Sequence, residues 1–386
     1  MIILSSISPS LKVGLQFLGM WPGNSYSVIN WLSFMLSLLI IQYFQYMYIF
    51  DHLKINEVSN LLDGLIAALD YSLTIFKLTS LWIHRRTFHK ILAAMDNDWR
   101  ECINIDKHLH EMITKANMSH FICNILLSFT AIAGILYLLS GYVIHFVFST
   151  ENYNDTLRQF PLKVQFPFET QQSPIFEVLV ATIFVHAMLH SCTVAVLNGL
   201  ILTLVLHLSG QIDIMCYKFR NISKNTLHKS SVFLFGMLIE RHNKIVLFSK
   251  NIETLFSFIA LMQVIWNTLV ICCLGFVIII SIHNETGIIV LIKTVGAYLA
   301  IMIEAFVICF AGEYLSLKSK SIAGAIYETL WYDMPSHQSK IIVLVIMRSQ
   351  KRLTITAGKM IDMSFETFTS IMKASVSYVS VLYAMY

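Results

Sequence analysis

The stretch Thr367–Tyr383, "TFTSIMKASVSYVSVLY", is apolar enough to enter a membrane, yet it carries six serine and threonine residues and a central lysine, Lys373. On a helix, its small and polar side chains share one arc of roughly 120°. The periodicity alone favours close helix packing, because small residues allow close approach and hydroxyl groups bond across helices. The other interpretation is a water-filled path lined by several copies of this helix. Lys373 favours the path, because a lysine that faces lipid is expensive.

Val381 lies on the same polar face, one turn beyond Ser377. A ring of such valines would form a hydrophobic constriction that gates by dewetting. If the helix lines a path, the residues predicted to line or gate it are Ser370, Lys373, Ser377, Ser380, Val381 and Ala384.

The rest of the chain has the composition of a membrane protein. Its 386 residues are 56% hydrophobic and only 13% charged, with a mean hydropathy of +0.67. Soluble domains carry about 25% charged residues. The pattern therefore predicts one all-α domain, residues 1–386, with seven transmembrane helices. The spans are expected near residues 30–50, 58–83, 118–148, 175–208, 254–282, 288–314 and 354–385.

Basic residues orient these spans. Of the 27 lysine and arginine residues, 21 fall on one side of the predicted membrane, three on the other and three within spans. Because cytoplasmic loops carry the excess of positive charge, we expect a cytoplasmic N-terminus and an extracellular C-terminus. This orientation is opposite to that of a G-protein-coupled receptor. The long cytoplasmic segments have apolar residues at helical spacing, so the helices of spans 4 to 7 are expected to extend into the cytoplasm.

Several classes of site are not expected. The seven cysteines all fall in predicted membrane or cytosol, which argues against a disulfide framework. No cysteine and histidine spacing suggests a metal, so His186 and His190 are interpreted as bundle residues. The basic residues form no nucleic-acid patch, and no catalytic motif or cofactor-binding loop accompanies the spans, so we expect neither an enzyme nor a cofactor. Two extracellular sequons, at Asn154 and Asn284, are predicted glycosylation sites.

Charged residues nevertheless recur inside the spans. Asp63, Asp70 and Lys77 repeat every seven residues, so they share one stripe of the second span, and Glu304 lies in the middle of the sixth. Ionisable groups inside a membrane face the bundle or a cavity and pair with one another. We expect structural pairing, with contact to a ligand or ion as the alternative.

Two C-terminal segments resemble the signature of the insect odorant receptors. They are "AIYETLWYDMP", Ala325–Pro335, and "MRSQKRLTITAGKMIDMSFETFTSIMKASVSYVSVL", Met347–Leu382. "LWIHRRTFHKILAAMDNDW", Leu81–Trp99, is also similar to the family. Arg352 and Val376 depart from the common pattern, where a proline and a tyrosine are frequent.

The resemblance implies a tetrameric, ligand-gated, nonselective cation channel in the plasma membrane of olfactory sensory neurons. This chain would be the tuning subunit and would assemble with the odorant receptor co-receptor in the lipid bilayer. The seventh span of each subunit would line the pore, and Val381 would align with the family's gate. A gustatory-type channel is the alternative, but the chain ends in Ala384-Met385 where those receptors carry a glutamine and a phenylalanine.

The resemblance also places an odorant pocket in the outer half of spans 2 to 6. A small volatile ligand calls for apolar and aromatic walls with few hydrogen-bonding partners. Tyr137 is the leading candidate, because it combines a ring and a hydroxyl group with space left by Gly134 and Gly141. The remaining candidates, each of which is alternatively plain bundle core, are Leu69, Leu73, Val180, Phe184, Trp266, Cys273 and Val277.

Overall fold

Helices make up most of the chain in the computed structural model, which describes residues 5–23, 25–53, 58–148, 160–221, 224–282, 287–329, 331–333 and 336–385. A single two-stranded hairpin interrupts the helices of the described part. The elements are α1 (Pro9–Phe17), α2 (Ser27–His52), α3 (Val58–Ile83), α4 (Arg85–Cys102), α5 (Asp106–Phe148), α6 (Ile175–Arg220), α7 (Lys224–Ile282), α8 (Gly287–Tyr327), a 3-10 turn (Trp331–Asp333), α9 (Ser336–Ser349), β1 (Thr356–Ala357), β2 (Ile361–Asp362) and α10 (Phe365–Met385).

The seven predicted spans correspond to α2, α3, α5, α6, α7, α8 and α10. Five of these helices, α2 and α5 to α8, are long and apolar enough to cross a membrane by composition alone. The other two are the helices with charged interiors, α3 with Asp63, Asp70 and Lys77, and α10 with Lys373. Each of the seven predicted spans therefore contains a helix of this all-α membrane protein.

Several helices are much longer than a membrane is thick. α6 has 46 residues and α7 has 59. At about 1.5 Å per residue, α6 alone spans about 70 Å, against about 30 Å for the hydrocarbon core. Their cytoplasmic ends therefore form the predicted extension below the bilayer. α5 also extends beyond its predicted span, since it begins at Asp106, twelve residues before the predicted third span.

The seventh span differs from the expected continuous helix. α10 has 21 residues, only enough to cross the bilayer, and the cytoplasmic extension before it consists of the separate helix α9 and the hairpin. The apolar block beginning at residue 354 is interrupted because Gly358 and Lys359 have φ angles of 59° and 62°. This left-handed backbone cannot continue a helix.

The hairpin is fastened to α7. The Gly358 N–H donates to the Ser257 carbonyl at 2.9 Å, and the Lys359 N–H donates to the Ser257 hydroxyl at 3.1 Å. Thr356 Oγ1 also donates to Glu253 Oε1 at 3.0 Å. The segment Thr356–Lys359, part of the sequence signature noted above, is thus the turn that anchors the start of α10.

α6 forms the centre of the molecule. Every residue from Ala195 to Ile212 is buried, and the largest apolar cluster surrounds this segment. The short α1 packs against it through Leu11 and Leu15, which are almost completely buried. Ser8 caps α1 by accepting a hydrogen bond from the Leu11 N–H at 3.1 Å. The bundle therefore has α6 inside, with α2 and α10 nearer its surface.

Candidate functional site

α10 presents its polar arc away from the rest of the chain. All six predicted path or gate residues are exposed, including Val381, which is 57% exposed. The opposite side of the helix, which includes Ile371, Ser375 and Val379, faces the bundle, and Val379 contacts Gly275 of α7. The six exposed residues are Ser370, Lys373, Ser377, Ser380, Val381 and Ala384.

Hydroxyl bonding distinguishes the two faces of α10. Ser370, Ser377 and Ser380 each donate to the carbonyl four residues earlier, at 2.9 to 3.0 Å. Ser375, which is only 1% exposed, also lies 3.5 Å from the Thr268 carbonyl of α7. Packing within this chain therefore involves Ser375, whereas the other three hydroxyls are satisfied on their own helix and remain open to water or to another subunit.

The exposed surface of α10 is wider than the predicted polar arc. Val376, Tyr378, Leu382 and Tyr383 are also exposed. Large apolar side chains in this position need lipid or a neighbouring protein surface. Sequence periodicity does not identify what covers these side chains, because α10 contacts its own chain only along its buried side.

Two of the charged residues on the α3 stripe, Asp63 and Lys77, form ion pairs, as predicted. Lys77 of α3 pairs with Glu304 of α8, and both side chains are buried. Lys293 of α8 lies 3.1 Å from Asp63 of α3. Two ion pairs thus join the stripe on α3 to α8. Sequence analysis identified most of the members, but it did not identify Lys293 as a partner.

Histidines of α6 complete this polar interior. The rings of Tyr71 and His190 stack at 4.0 Å, and Thr74 Oγ1 lies 2.9 Å from His190 Nε2. The Tyr71 hydroxyl lies 3.3 Å from His186 Nδ1. Within the described ranges no group of three histidine, cysteine or acidic side chains is arranged to hold a metal ion. Both histidines are buried in the bundle, where they contact Tyr71 and Thr74.

The predicted odorant-binding residues fall into two groups. Leu69, Cys273 and Val277 meet in one apolar cluster between α3, α7 and α8. Trp266 is also on α7 and contacts the Phe76 ring of α3 edge-to-face at 5.4 Å. Leu69, Cys273 and Val277 therefore take part in apolar packing between these helices, where Val277 is only 1% exposed.

The second group lies between α5, α6 and α8. A Cβ at Gly134 would lie 3.2 Å from Ser191 Oγ, so this glycine serves close packing of α5 on α6. Tyr137 lies one turn further along α5, and the Lys293 ammonium is 4.5 Å from the centroid of its ring. Phe184 packs against the main core, and Val180 is half-buried.

The remaining candidates have different positions. Leu73 is buried on α3. Gly141 lies on α5, within the portion whose side-chain surroundings are not described. Asn154 and Asn284 lie outside the described residues, so their glycosylation stays a prediction. The structure therefore assembles Tyr137 with a charged pair that sequence analysis had not connected to it.

Outside the membrane, α4 and α7 are joined by a solvent-exposed ion pair between Glu101 and Lys244 at 3.1 Å. Partial burial alone would raise the pKa of Glu101, but hydrogen bonds from Lys244 and Asn97 hold that pKa below its ordinary value. Glu101 is therefore ionised at neutral pH and ties the cytoplasmic ends of the two helices together.

Comparisons with known proteins extend these observations. A family model described as "7tm Odorant receptor" matches residues 57–376. Odorant receptor 22c of Drosophila melanogaster is 25% identical over 207 residues, which cover 50% of each chain. The odorant receptor coreceptor of Ooceraea biroi is 26% identical over 145 residues, covering 37% of this chain and 30% of that protein. The matched segments span half or less of these curated relatives.

The fold is also similar to that of a solved receptor. The structure of the insect olfactory receptor OR5 from Machilis hrabei, in complex with eugenol, aligns over 97% of both chains with a TM-score of 0.77. At 14% identity, this likeness concerns the fold alone. The family model, by contrast, matches by sequence from the second span into α10. It describes odorant receptors and therefore favours that interpretation over the gustatory-type alternative. The chain belongs to the 7tm odorant receptor family.

Proposed function

We propose that this chain is the odorant-binding subunit of a ligand-gated, nonselective cation channel, assembled with the odorant receptor co-receptor in the plasma membrane of olfactory sensory neurons. The observation that carries the proposal is the exposed polar face of α10. Its serine hydroxyls are satisfied by their own helix, and its lysine would be expensive to expose to lipid. A shared water-filled path between subunits accommodates both features.

Family membership supports the choice of partner. Part of this chain is similar to the coreceptor of Ooceraea biroi. Related subunits that share a fold present equivalent surfaces around a closed ring, so one can take the place of another. The exposed valine, leucine and tyrosine side chains on α10 would be covered by the neighbouring subunits of such a ring.

The ligand of the proposed receptor is a small volatile molecule. The receptor from Machilis hrabei was solved with eugenol, a compound of this class. In this chain the apolar cluster around Leu69, Cys273 and Val277 supplies hydrophobic walls, and Tyr137 supplies a polar contact beside the Lys293–Asp63 pair. Pockets of this composition use dispersion and burial for affinity and a few polar groups for orientation.

Whole-cell recording tests the assembly. Cells expressing this chain with the co-receptor, perfused without nucleotide in the pipette, should pass inward cation current when an odorant panel is applied. Cells expressing this chain alone should remain silent despite equal surface labelling. Current from this chain alone, or current that requires GTP, would overturn the proposal of an obligate, directly gated heteromer.

The role of Tyr137 requires a matched pair of variants. Tyr137→Ala should shift the odorant concentration for half-maximal current by about tenfold or more, because it removes a buried ring and its polar handle. Tyr43→Ala, on the exposed side of α2, is the control for loss of a tyrosine in the membrane. Unchanged concentration dependence for every active odorant in Tyr137→Ala would assign this residue to the core.

A further inference from the structure

A groove lies at the start of the bundle, far along the chain from the proposed odorant pocket and from α10. It has a volume of about 670 Å³ and opens widely to the outside. α1, the turn after it and the first turn of α2 provide its lining, which includes Val13, Gln16, Phe17, Trp21, Pro22 and Asn30. The basic-residue count places this end of the molecule at the cytoplasmic face of the membrane.

The walls of the groove are suited to acyl chains. α1 buries Leu11 and Leu15 against the bundle, while Val13 is 64% exposed and Phe17 is 45% exposed. A short helix that is apolar on both sides is stable only where lipid covers its outer side. Tryptophan at this level is typical of the membrane interface. Exposed apolar side chains beside a tryptophan are the features expected of a groove that faces the inner leaflet.

Two basic side chains lie beside the turn that forms one edge of the groove. The Lys12 ammonium lies 5.3 Å from the ring centroid of Trp21, which lines it. His89 Nε2 lies 3.3 Å from the carbonyl oxygen of Met20, the residue before that tryptophan. These contacts place two basic groups at one edge of the groove.

A third basic group, Arg85, is connected through two stacked rings to the helix that provides Asn30. The Arg85 guanidinium lies 4.5 Å above the Trp82 ring, and that ring stacks at 4.5 Å on Trp31. Trp31 directly follows Asn30, which lines the groove. An arginine next to an aromatic ring can still donate hydrogen bonds from its guanidinium group.

These basic residues stand in stretches of the sequence that contain no acidic residue. The first acidic residue of the whole sequence is Asp51, and none occurs between Asp70 and Asp96. Among the residues that the structure describes, neither Lys12 nor Arg85 forms an ion pair with a carboxylate. An apolar groove with an uncompensated cationic rim is complementary to an acyl chain attached to an anionic head.

We infer that this groove binds an anionic phospholipid of the inner leaflet. Its phosphate lies between Lys12 and Arg85, and an acyl chain follows Val13 and Phe17. The bound lipid holds α1 against α6, where Gly14 already closely approaches Val196. This site does not depend on the proposed channel function, because it uses neither the odorant pocket nor α10.

The test uses the purified full-length chain in neutral detergent with short-chain lipids. Dioctanoyl phosphatidylserine should bind more tightly than dioctanoyl phosphatidylcholine, which has the same acyl chains and no net charge. Each basic residue near a membrane contributes about fivefold to the binding of anionic lipid. Lys12→Gln/Arg85→Gln should therefore weaken phosphatidylserine binding by about 25-fold and leave phosphatidylcholine binding unchanged.

A matched double variant controls for lost charge. Arg100→Gln/Lys250→Gln removes two exposed cytoplasmic basic residues from α4 and α7, away from the groove. It should retain wild-type binding, and unliganded melting temperatures identify any variant that fails to fold. Equal weakening by both double variants would replace a defined site with general attraction and overturn the inference.

The soluble head distinguishes a lipid site from a simple anion site. Glycerophosphoserine carries the same phosphate without acyl chains, so it should compete at least a hundredfold more weakly than dioctanoyl phosphatidylserine. Val13→Gln should weaken binding of the lipid but not of glycerophosphoserine. Equal competition by the soluble head, or no effect of Val13→Gln, would show that the groove does not hold a lipid.

Discussion

The ion pair between Lys77 and Glu304 provides a quantitative test of the bundle interior. The two side chains are only 2% and 4% exposed, and they join α3 to α8 within the membrane. Glu304→Gln preserves shape but leaves the lysine without a counter-charge. Removing one partner of a buried ion pair costs about 3 to 5 kcal/mol. We therefore expect a loss of about 4 kcal/mol in the free energy of unfolding.

The corresponding change in melting temperature follows from chain length. Unfolding entropy is about 2.1 cal/mol/K per residue, or about 0.8 kcal/mol/K for a chain of 386 residues. A loss of about 4 kcal/mol then lowers the melting temperature by about 5 °C. Intrinsic tryptophan fluorescence of the detergent-solubilised chain measures this shift.

Two further variants isolate the ion pair. Lys77→Met/Glu304→Leu removes both charges, and replacement of a whole buried pair by apolar residues is close to neutral. This double variant should melt within about 2 °C of wild type. Glu101→Gln breaks the exposed pair with Lys244, where the side chains are 41% and 46% exposed, and such pairs contribute at most about 1 kcal/mol. The reasoning is wrong if Glu304→Gln melts like Glu101→Gln, or if the double variant is no more stable than Glu304→Gln.

Three further predictions concern α8, α10 and the cytoplasmic ion pair. Gly312→Ala should destabilise the chain by about 1 to 3 kcal/mol, because a Cβ there would collide with the Met363 carbonyl. Gly324→Ala is the control, since its added Cβ would have no neighbour within 4 Å. It should be neutral or stabilising in the same melting assay. Lys373→Gln should raise calcium permeability relative to sodium, measured from reversal potentials. The reason is that one unit charge at about 4 Å in water changes cation occupancy about fivefold. The control, Lys351→Gln, removes a lysine outside the membrane and should leave the permeability ratio unchanged. Because the folded pKa of Glu101 is lowered, its stabilising contribution is present above the ordinary glutamate pKa and is lost as pH falls through the lower folded value. The melting difference between wild type and Glu101→Gln should therefore shrink on acidification, and a difference that persists unchanged at pH 3 would contradict this assignment.

Sequence patterns predicted the membrane helices well for a simple reason. A span needs a long apolar block, and even the charged α3 and the hydroxyl-rich α10 stand out from the basic segment next to each of them. The start of α10 was harder to predict from the sequence. Residues 354–362 are apolar enough to continue the block, and only the left-handed backbone at Gly358 and Lys359 separates hairpin from helix.

Long-range pairing was only partly predictable. The heptad spacing on α3 indicates that charged residues share a face, so partners were expected. It does not identify them, because Lys77 and Glu304 lie 227 residues apart in the chain. Similarly, apolar periodicity marks Leu69 and Val277 as buried, but a pocket wall and plain core bury the same residue types. Only three-dimensional packing places Lys293 over the Tyr137 ring.

The central claim is that the polar face of α10 lines the ion path. Two serines on this helix provide a direct test, since Ser377 is exposed and Ser375 is only 1% exposed. Each would be changed to cysteine, expressed with the co-receptor and treated with a positively charged thiol reagent from outside during odorant-evoked current. Reagent applied to the wild-type channel accounts for its native cysteines.

The proposal predicts irreversible loss of current in Ser377→Cys. The loss should be faster with odorant present than without it, because the proposed gate residue, Val381, would lie between Ser377 and the outside. Ser375→Cys should behave like wild type. A Ser377→Cys channel that conducts normally after treatment with odorant, or a loss of current confined to Ser375→Cys, would contradict the assignment of this face to the ion path.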